Sequence, residues 1–261
     1  MSGAIDVVTG ASRGIGRGLV ERLTAAGHTV VAVARSRDDL AVLSEQTGAL
    51  PYVLDVADPT AIESTFARIE AAVGVPDLLV NNAGVSGGSG TTGELAAEDW
   101  WRVFEINVRG LYLCTRAVLQ PMVARGSGRI INVSSGAAYF PVWEDNDAVI
   151  NSAYMASKAA VIRFTEALAG ECAGTGVHTF SLSPGMVKTE MTAGIFADQW
   201  DDPDRWTPME KSLDLMEDIA SGMLDALSGR YLRAAVDDWR ALAAHALKVN
   251  AEDSHTLRLR D

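Results

Sequence analysis

Tyr154 and Lys158 combine a phenol and an ammonium at a spacing of four positions, in the run Tyr154-Met155-Ala156-Ser157-Lys158. If this run begins a helix, the two side chains lie one turn apart on the same face. A free tyrosine, with a pKa near ~10, transfers protons poorly at neutral pH, but a neighbouring ammonium favours its phenolate. The pair therefore indicates general acid–base catalysis on a substrate oxygen. The same spacing also occurs between surface residues of many proteins, so its meaning depends on the residues around it.

Three further polar residues extend this pair. Ser134 and Ser135 end a predicted strand and place hydroxyls where a substrate oxygen could bind. Asn107 lies within a long predicted helix, a position that asparagine does not favour. It is interpreted either as a functional residue or as the cause of a local kink.

The first predicted strand and the first predicted helix are joined by a glycine-bearing turn, Thr9-Gly10-Ala11-Ser12-Arg13-Gly14-Ile15-Gly16. Glycines permit a tight turn and close approach of a phosphate, and a helix N-terminus offers N–H groups and a positive dipole. A glycine turn alone could serve packing only. The strand before it and the helix after it favour a dinucleotide site.

The second predicted strand decides which dinucleotide is expected. Enzymes that use NAD usually carry a carboxylate at the end of this strand, where it binds the ribose hydroxyls. Here the strand ends at Ala34 and is followed by Arg35 and Ser36. Arg35, together with Arg13 in the glycine turn, would suit an adenosine 2′-phosphate, because guanidinium groups bind phosphate through paired hydrogen bonds. The sequence therefore predicts NADP(H) as the cofactor.

Short Val/Ile/Leu runs alternate with amphipathic segments along most of the chain. We expect strands at residues 5–8, 29–34, 52–54, 77–80, 129–133 and 177–182, and helices at 15–26, 59–73, 98–124 and 153–173. Continuous apolar strands are typical of a parallel sheet that is covered by helices on both faces. The pattern predicts one α/β domain over residues 1–261, doubly wound and Rossmann-type, with a parallel sheet of about seven strands.

Composition excludes several functional classes. The 261 residues carry a formal net charge of −12, so binding to nucleic acid or to an anionic membrane is not expected. The two cysteines, Cys114 and Cys172, form no paired motif, and the four histidines show no metal-ligand spacing. We expect no metal site. No signal peptide or membrane span is recognised, and we expect a cytoplasmic protein.

Taken in order, these motifs make the sequence similar to the classical short-chain dehydrogenase/reductase family over about residues 5–232. The matching features are the glycine turn, Asn81-Asn82-Ala83-Gly84, Asn107, the Ser134-Ser135 pair, Tyr154 with Lys158, and Ser183-Pro184-Gly185. The resemblance implies an oxidoreductase in which the nicotinamide carries the hydride and the protein handles the proton. It also implies a homodimer or homotetramer.

The resemblance assigns catalytic roles to four residues. Tyr154 would be the general acid in ketone reduction and the base in alcohol oxidation. Lys158 would lower the pKa of Tyr154 and bind the nicotinamide ribose. Ser135 would donate a hydrogen bond to the substrate oxygen, with Ser134 supporting the loop. Asn107 would hold a water in a proton relay to Lys158.

The resemblance also implies a cofactor-binding set. Tyr154 and Lys158 belong to it, together with residues in the glycine turn, after the second strand, and after the later strands: Gly10, Ser12, Arg13, Gly14, Ile15, Gly16, Arg35, Ser36, Asp55, Val56, Asn82, Ala83, Gly84, Pro184, Gly185, Val187 and Thr189.

Irregular segments after the strands are expected to form the substrate pocket. They contain aromatic and sulfur-bearing residues, which predict a bulky apolar or aromatic carbonyl or alcohol, although core packing explains such residues equally well. The candidates, with Ser135, are Tyr139, Trp143, Met186, Met191 and Trp200.

Three other segments are singled out. Ser135 and Tyr154 lie further apart than is usual in the family, which indicates an enlarged loop around the acidic residues 144–147. This loop would lie at the pocket mouth or would cover a partner subunit. Residues 192–208 are a predicted lid. Residues 233–261 form an extension, which would pack on a neighbouring subunit or close the pocket.

Two alternative functions stay open. One is epimerisation or dehydration on the same scaffold without net redox change. The other is a non-catalytic protein that senses NADP(H), although such a protein would have no need of Tyr154.

Overall fold

A seven-stranded parallel sheet organises the chain in the computed structural model, which describes residues 3–88, 90–139, 152–195, 197 and 200–258. The strands are β1 (Ile5–Thr9), β2 (Thr29–Ala34), β3 (Leu50–Val53), β4 (Leu78–Asn81), β5 (Gly128–Val133), β6 (Val177–Ser183) and β7 (Tyr231–Arg233). Their spatial order is β3-β2-β1-β4-β5-β6-β7, and every neighbouring pair is parallel. The predicted doubly wound α/β architecture is confirmed.

Helices follow the strands along the chain. They are α1 (Gly14–Ala25), α2 (Arg37–Thr47), α3 (Pro59–Val73), α4 (Ala97–Phe104), α5 (Leu111–Arg125), α6 (Ser152–Glu171), α7 (Glu190–Ile195), α8 (Met209–Ala220), α9 (Trp239–Ala244) and α10 (Ala246–Ala251). In the described part of the chain, no helix is both long enough and apolar enough to cross a membrane. The sequence did not predict helices α2, α7, α8, α9 and α10 or strand β7.

Two apolar cores lie on opposite faces of the sheet, because successive side chains of a strand point to opposite faces. Val8 of β1 belongs to the core that α1, α8 and α10 cover. Its neighbour Val7 belongs to the core covered by α3 and α5. Both valines are fully buried. This double coverage explains why the strands are continuous apolar runs.

The predicted helix at 98–124 is interrupted by a π-helical turn over Glu105–Gly110, between α4 and α5. Such turns are rare and are frequent at functional sites. Asn107 lies in this turn, where its carboxamide bonds the backbone of Val85. The unfavoured asparagine therefore marks an irregular helical turn, which hydrophobic periodicity alone did not reveal.

The C-terminal extension packs on the chain's own core. Leu242 and Trp239 of α9 and Val249 of α10 contact the core beneath α8. Beyond them, the carbonyl oxygen of His255 accepts a hydrogen bond from Tyr231 N at 2.8 Å, which covers part of edge strand β7. The extension thus completes one face of the sheet.

Candidate active site

A cleft of about 310 Å³ lies at the carboxyl ends of the strands, where the strand order reverses between β1 and β4. Open α/β sheets bind ligands at this switch point. The lining residues predicted from sequence are Gly10, Ser12, Arg13, Gly14, Ile15, Arg35, Ser36, Asp55, Val56, Asn82, Ala83, Gly84, Tyr154, Lys158, Pro184, Thr189 and Met191. The cleft therefore brings most of the predicted cofactor set together with the Tyr/Lys pair.

The glycine turn is fitted closely to the loop after β4. Gly10 has φ +65°, and a Cβ placed on it would lie 2.8 Å from Ala83 Cα. Asn82 Nδ2 donates to the carbonyl oxygens of Thr9 (3.0 Å) and Gly10 (3.1 Å). Since α1 begins at Gly14, backbone N–H groups of its first turn lie at the cleft. A turn without side chains at a helix N-terminus fits the pyrophosphate of a dinucleotide.

The adenosine end of the cleft contains no carboxylate at the last position of β2, which is Ala34. Arg35 is exposed and lines the cleft, and no ion pair of Arg35 is found among the described residues. Ser36 Oγ accepts a hydrogen bond from Asp39 N at 3.2 Å and so caps α2. The start of α2 therefore adds its positive dipole to the charge of Arg35. Asp39 also lines the cleft and opposes that charge.

Arg13, the second predicted cation, has a different partner. Its Nη1 forms an ion pair with Oε2 of Glu190, the first residue of α7, across the mouth of the cleft. Both residues line the cleft. The two arginines that were expected to act together therefore differ. Arg13 is paired with a carboxylate, whereas no carboxylate partner of Arg35 is found in the described part of the chain.

Lys158 is buried, and its Nζ donates to the carbonyl oxygen of Val133 at 2.8 Å. Burial lowers the pKa of Lys158 from 10.5 to about 8, because the ammonium loses hydration. Nζ lies 5.6 Å from the centroid of the Tyr154 ring. The two groups therefore stand together on the first turns of α6, as the spacing predicted.

Tyr154 is half-buried as a whole, while its hydroxyl end is surrounded by protein. This burial raises the pKa of Tyr154 above its usual value, and a hydrogen bond with the Ser135 side chain opposes the rise. The direction is opposite to the one expected from the neighbouring ammonium of Lys158. A phenol with a raised pKa is protonated at neutral pH but is a weaker acid, so proton donation depends on a group that stabilises the phenolate.

The remaining catalytic candidates surround this pair. Ser135 Oγ accepts from Ala137 N at 3.2 Å, which holds the residue just after β5. Ser134 Oγ donates to the carbonyl oxygen of Lys158 at 2.9 Å, which agrees with a supporting role. Asn107 is fully engaged through its side chain: Oδ1 accepts from Val85 N, and Nδ2 donates to Val85 O and to Ser157 Oγ.

Replacing Lys158 with methionine should stabilise the nucleotide-free protein while removing a functional group. A pKa lowered from 10.5 to about 8 corresponds to about 3 kcal/mol of unfavourable burial below pH 8. Loss of the bond to Val133 offsets part of this, so we expect a net gain of about 1–2 kcal/mol and a Tm higher by roughly 3–6 °C at neutral pH.

The pH dependence of this gain tests its origin. The unfolded chain binds a proton at Lys158 up to about 10.5, whereas the folded chain releases it near pH 8. The cost is therefore full below pH 8 and disappears towards pH 10.5, so the difference in Tm between the two proteins should shrink as pH rises. A methionine variant that is less stable at neutral pH would contradict this account.

The predicted substrate residues are dispersed around the cleft. Met191 lines it and is 38% exposed. The ring of Tyr139 packs edge-on against Tyr231, with centroids 5.5 Å apart. Trp200 packs edge-on against Trp206 at 5.0 Å in the predicted lid. Met186 donates its backbone N–H to Thr207 Oγ1. Trp143 and the acidic residues 144–147 lie outside the described residues.

Three predicted cofactor residues do not line the cleft. A Cβ on Gly16 would lie 2.4 Å from Gly10 O, so Gly16 serves the packing behind the turn. Gly185 has φ +82° and packs against Thr207, and Val187 is 3% exposed. Several residues that line the cleft were not predicted from the sequence: Asp39, Leu54, Val85, Ile106, Val133 and Glu190. Their proximity to motif residues was the only available signal.

In the described part of the chain, a metal site would need a cluster of side chains that could bind the ion. No group of three or more His, Cys, Asp or Glu side chains there is placed to hold a metal ion. The polar residues at the cleft are instead a phenol, an amine, hydroxyls and an amide. Such a set suits proton transfer and hydrogen bonding to a dinucleotide and a substrate oxygen.

Comparison with known proteins places the chain in a family. The model of the short chain dehydrogenase family matches residues 4–200. A short chain dehydrogenase of Pseudocercospora fijiensis (strain CIRAD86) is 39% identical over 203 residues, which cover 74% of this chain and 62% of that protein. The chain thus spans less than two thirds of that relative's length.

Two further relatives cover more of their own length. The 3-oxoacyl-(acyl-carrier-protein) reductase FabG of Escherichia coli (strain K12) is 36% identical over 199 residues, covering 76% of this chain and 79% of that protein. A crystal structure from Beutenbergia cavernae, described as an NAD(P)-dependent gluconate 5-dehydrogenase with bound NADP at low occupancy, superposes with a TM-score of 0.79. It is 30% identical and covers 90% of this chain and 96% of that one. The protein belongs to the short-chain dehydrogenase/reductase family.

Proposed function

We propose that this short-chain dehydrogenase/reductase uses NADP(H) to reduce a ketone, or to oxidise the corresponding secondary alcohol, of a bulky apolar or aromatic compound. The observation that carries the proposal is the meeting of Tyr154, Lys158 and Ser135 beside a cleft that begins at the glycine turn. The reductase and NADP-bound descriptions of the relatives support it.

The preference for NADP(H) is supported by the adenosine end of the cleft. Arg35 offers a guanidinium that forms no ion pair within the described residues, and Ser36 caps the start of α2. Ala34 stands where a carboxylate would bind the ribose hydroxyls. Guanidinium binds a phosphate in a bidentate fashion, which an exposed lysine would do less well. The carboxylate of Asp39 would repel a 2′-phosphate and acts against this preference. The preference for NADP(H) therefore depends chiefly on Arg35.

In the proposed reaction, Tyr154 transfers one proton to or from the substrate oxygen. When bound, the nicotinamide supplies or accepts the hydride. In ketone reduction the Tyr154 hydroxyl donates its proton to the substrate oxygen, and Ser135 donates a second hydrogen bond to the same oxygen. At neutral pH the phenol carries its proton before the reaction, as an ordinary tyrosine does. The ammonium of Lys158 then stabilises the phenolate that remains.

In the proposed reaction, Asn107 contributes to proton transfer through its backbone carbonyl. Its side-chain carboxamide already bonds Val85 and Ser157, which orders the π-helical turn. We therefore assign the water of the predicted relay to the backbone carbonyl of Asn107 rather than to its side chain. π-helical turns within α-helices occur frequently at functional sites.

The rate of ketone reduction is expected to fall as pH rises through about 8, the value to which burial lowers the pKa of Lys158. Above it the ammonium is lost and no longer stabilises the phenolate, so kcat/KM should fall about tenfold per pH unit. The measurement is kcat/KM for one ketone at saturating NADPH between pH ~6 and ~10. Lys158→Arg keeps the charge and should move the fall to higher pH. An unchanged profile in that variant would remove Lys158 from the explanation.

A stoichiometric assay separates this proposal from its alternatives. A panel of bulky ketones is incubated with NADPH, and cofactor loss is compared with alcohol formed. We expect one NADPH consumed for each alcohol. A changed substrate without net cofactor loss would indicate epimerisation or dehydration, and tight NADPH binding with no chemistry on any member of the panel would favour a sensing role.

The homodimer or homotetramer implied by the resemblance stays a prediction. Trp101 of α4 is 60% exposed and Tyr112 of α5 is 46% exposed, with Tyr112 packed edge-on against Phe164 of α6. Exposed aromatic side chains on neighbouring helices suit a subunit interface. Molar mass in solution tests this directly.

A further inference from the structure

Tyr139 stands at the end of a short turn that begins at Ser135. The turn is the 3₁₀ segment Gly136–Ala138, which follows β5. Ser135 Oγ accepts a hydrogen bond from Ala137 N at 3.2 Å, and Tyr139 N donates to Gly136 O at 3.1 Å. These bonds tie both ends of the turn to its middle, so a shift of Tyr139 would displace the Ser135 hydroxyl.

The side chain of Tyr139 contacts the edge strand β7. Its ring packs edge-on against that of Tyr231, with the two centroids 5.5 Å apart. Its hydroxyl oxygen accepts a hydrogen bond from the Arg233 guanidinium. Strand β6 lies between β5 and β7 in the sheet, so Tyr139 connects the end of β5 to a strand two positions away. The turn that begins at Ser135 is therefore attached to the sheet at a second point.

Asp237 holds the Arg233 guanidinium in place. Arg233 Nε donates to Asp237 Oδ1 at 3.0 Å and Nη2 donates to the same oxygen at 2.5 Å, while the backbone N–H of Arg233 donates to Oδ2 at 2.8 Å. The Asp237 side chain is 3% exposed. Charge-assisted bonds of this kind are strong and directional. Because Asp237 compensates its charge, Arg233 serves as a fixed hydrogen-bond donor to Tyr139 and is a poor site for an anionic substrate.

The end of the C-terminal extension supports Asp237. His255 Nε2 lies 3.7 Å from Asp237 Oδ2, and His255 O accepts a hydrogen bond from Tyr231 N at 2.8 Å. His255 has φ +59°, a conformation that is uncommon for residues other than glycine and that the surrounding contacts must maintain. One such contact is the hydrogen bond from Leu257 N to Glu166 Oε1 of α6, at 2.5 Å. The extension is thus fixed against β7 and α6, beside the Asp237 carboxylate.

We propose that Tyr139 is a positioning residue that holds the Ser135 hydroxyl where it can bind the substrate oxygen. The support is a connected set of side chains, which we call the Tyr139 brace: Tyr139, Arg233, Asp237 and His255. A displacement of about 1 Å at a reacting group can lower a rate about 10²-fold, so an accurately held Ser135 favours catalysis. The proposal rests on the proposed function, since it concerns the bond of Ser135 to the substrate oxygen. It gives Tyr139 a role other than the substrate contact predicted from the sequence, and it links the C-terminal extension to catalysis.

The kinetics of Tyr139→Phe test the proposal in the full-length protein, with NADPH and one ketone. The substitution removes the hydroxyl that bonds Arg233 and keeps the ring that packs on Tyr231. We expect kcat to fall about three- to tenfold, the range that one hydrogen bond contributes. KM for the ketone and the dissociation constant of NADPH should each change by less than about twofold. The matched control is Tyr52→Phe, which removes a hydroxyl from β3 at the opposite edge of the sheet and should leave kcat unchanged.

The Ser135→Ala background shows whether Tyr139 acts through Ser135. If it does, Tyr139→Phe lowers kcat in the original protein and has no further effect in Ser135→Ala, because the effects of residues that act through one group are not additive. An equal loss in both backgrounds would indicate a general structural effect and would overturn the proposal, as would unchanged kinetics of Tyr139→Phe. A raised KM with unchanged kcat would overturn it too, since the hydroxyl would then bind the substrate itself.

Asp237→Asn tests the rest of the Tyr139 brace, because it weakens the hold on Arg233 and leaves Tyr139 in place. It should lower kcat by a similar factor, again with no further effect in Ser135→Ala, and an unchanged kcat would overturn the part given to the C-terminal extension. Should Asp237→Asn fail to fold, His255→Ala weakens the support of the same carboxylate and carries the same expectation. In each of these cases the proposed oxidoreductase function stands. If the original protein binds NADPH but reduces no ketone, the proposed function itself fails, and the Tyr139 brace fails with it.

Discussion

Replacing Tyr154 with phenylalanine is expected to lower kcat for ketone reduction about a thousandfold, within the range of ~10²–10⁴ that a positioned general acid contributes. The variant loses one hydroxyl from a site where it bonds Ser135, and the ring and its packing stay. Of the described residues beside the cleft, Lys158 already donates to Val133, and the Asn107 side chain bonds Val85 and Ser157, so neither is placed as the proton donor.

NADPH affinity provides the control for this variant. Because phenylalanine preserves the shape of the cleft, the dissociation constant of NADPH should change by less than about threefold, a difference under ~1 kcal/mol. Ser135→Ala should reduce kcat as well, but less, since it removes a hydrogen bond rather than the proton. A phenylalanine variant that keeps a tenth or more of its activity would show that the proton comes from elsewhere.

Replacing Arg35 with glutamine is expected to weaken NADPH binding about 10–100-fold, because a charge-assisted bond to phosphate is worth ~1.5–3 kcal/mol. NADH lacks the 2′-phosphate, so its affinity should change little. Both dissociation constants are measured by nicotinamide fluorescence. The Arg35→Gln variant is therefore expected to bind NADPH and NADH with about equal affinity.

Arg37→Gln is the matched control for this prediction. Arg37 carries the same charge two positions further along and is exposed, but it lies on α2 and is not among the residues that line the cleft. If both glutamine variants lose NADPH affinity equally, the effect comes from net charge and not from a contact at position 35. Asp39→Asn should strengthen NADPH binding slightly, since it removes the opposing carboxylate.

Much of this fold follows from local patterns. Alternating apolar strands and amphipathic helices predicted the parallel sheet, because the hydrophobic period and the length of each segment can be read from its own sequence. The motifs at Gly10, Asn82, Ser135 and Tyr154 predicted which strand ends carry the site, since carboxyl ends of parallel strands meet at one edge of the sheet. The structure places these motifs around a single cleft.

The features that escaped prediction depend on contacts between distant residues. Helix α2 is weakly amphipathic and is fixed by the Ser36 cap and by Leu40 and Leu43 in the core, so its periodicity was easily overlooked. Strand β7 has three residues, too short for a pattern. The engagement of Arg13 by Glu190 joins positions 177 apart.

The electrostatic environment was also outside the reach of sequence. Proximity to Lys158 suggested a lowered pKa for Tyr154, but the sequence does not show how deeply the phenol is enclosed. Desolvation acts on both members of the pair, raising the pKa of Tyr154 and lowering that of Lys158. Burial thus makes the phenol a weaker acid, and loss of its proton depends on stabilisation of the phenolate by the Lys158 ammonium.

The central claim is that this oxidoreductase works with NADP(H), and a titration of the unmodified protein tests it most directly. NADPH and NADH are titrated separately while nicotinamide fluorescence is followed at one ionic strength. The account predicts a dissociation constant for NADPH at least about tenfold below that for NADH, as one charge-assisted phosphate contact provides. Equal affinities, or tighter binding of NADH, would contradict the role given to Arg35 and with it the assignment of NADP(H).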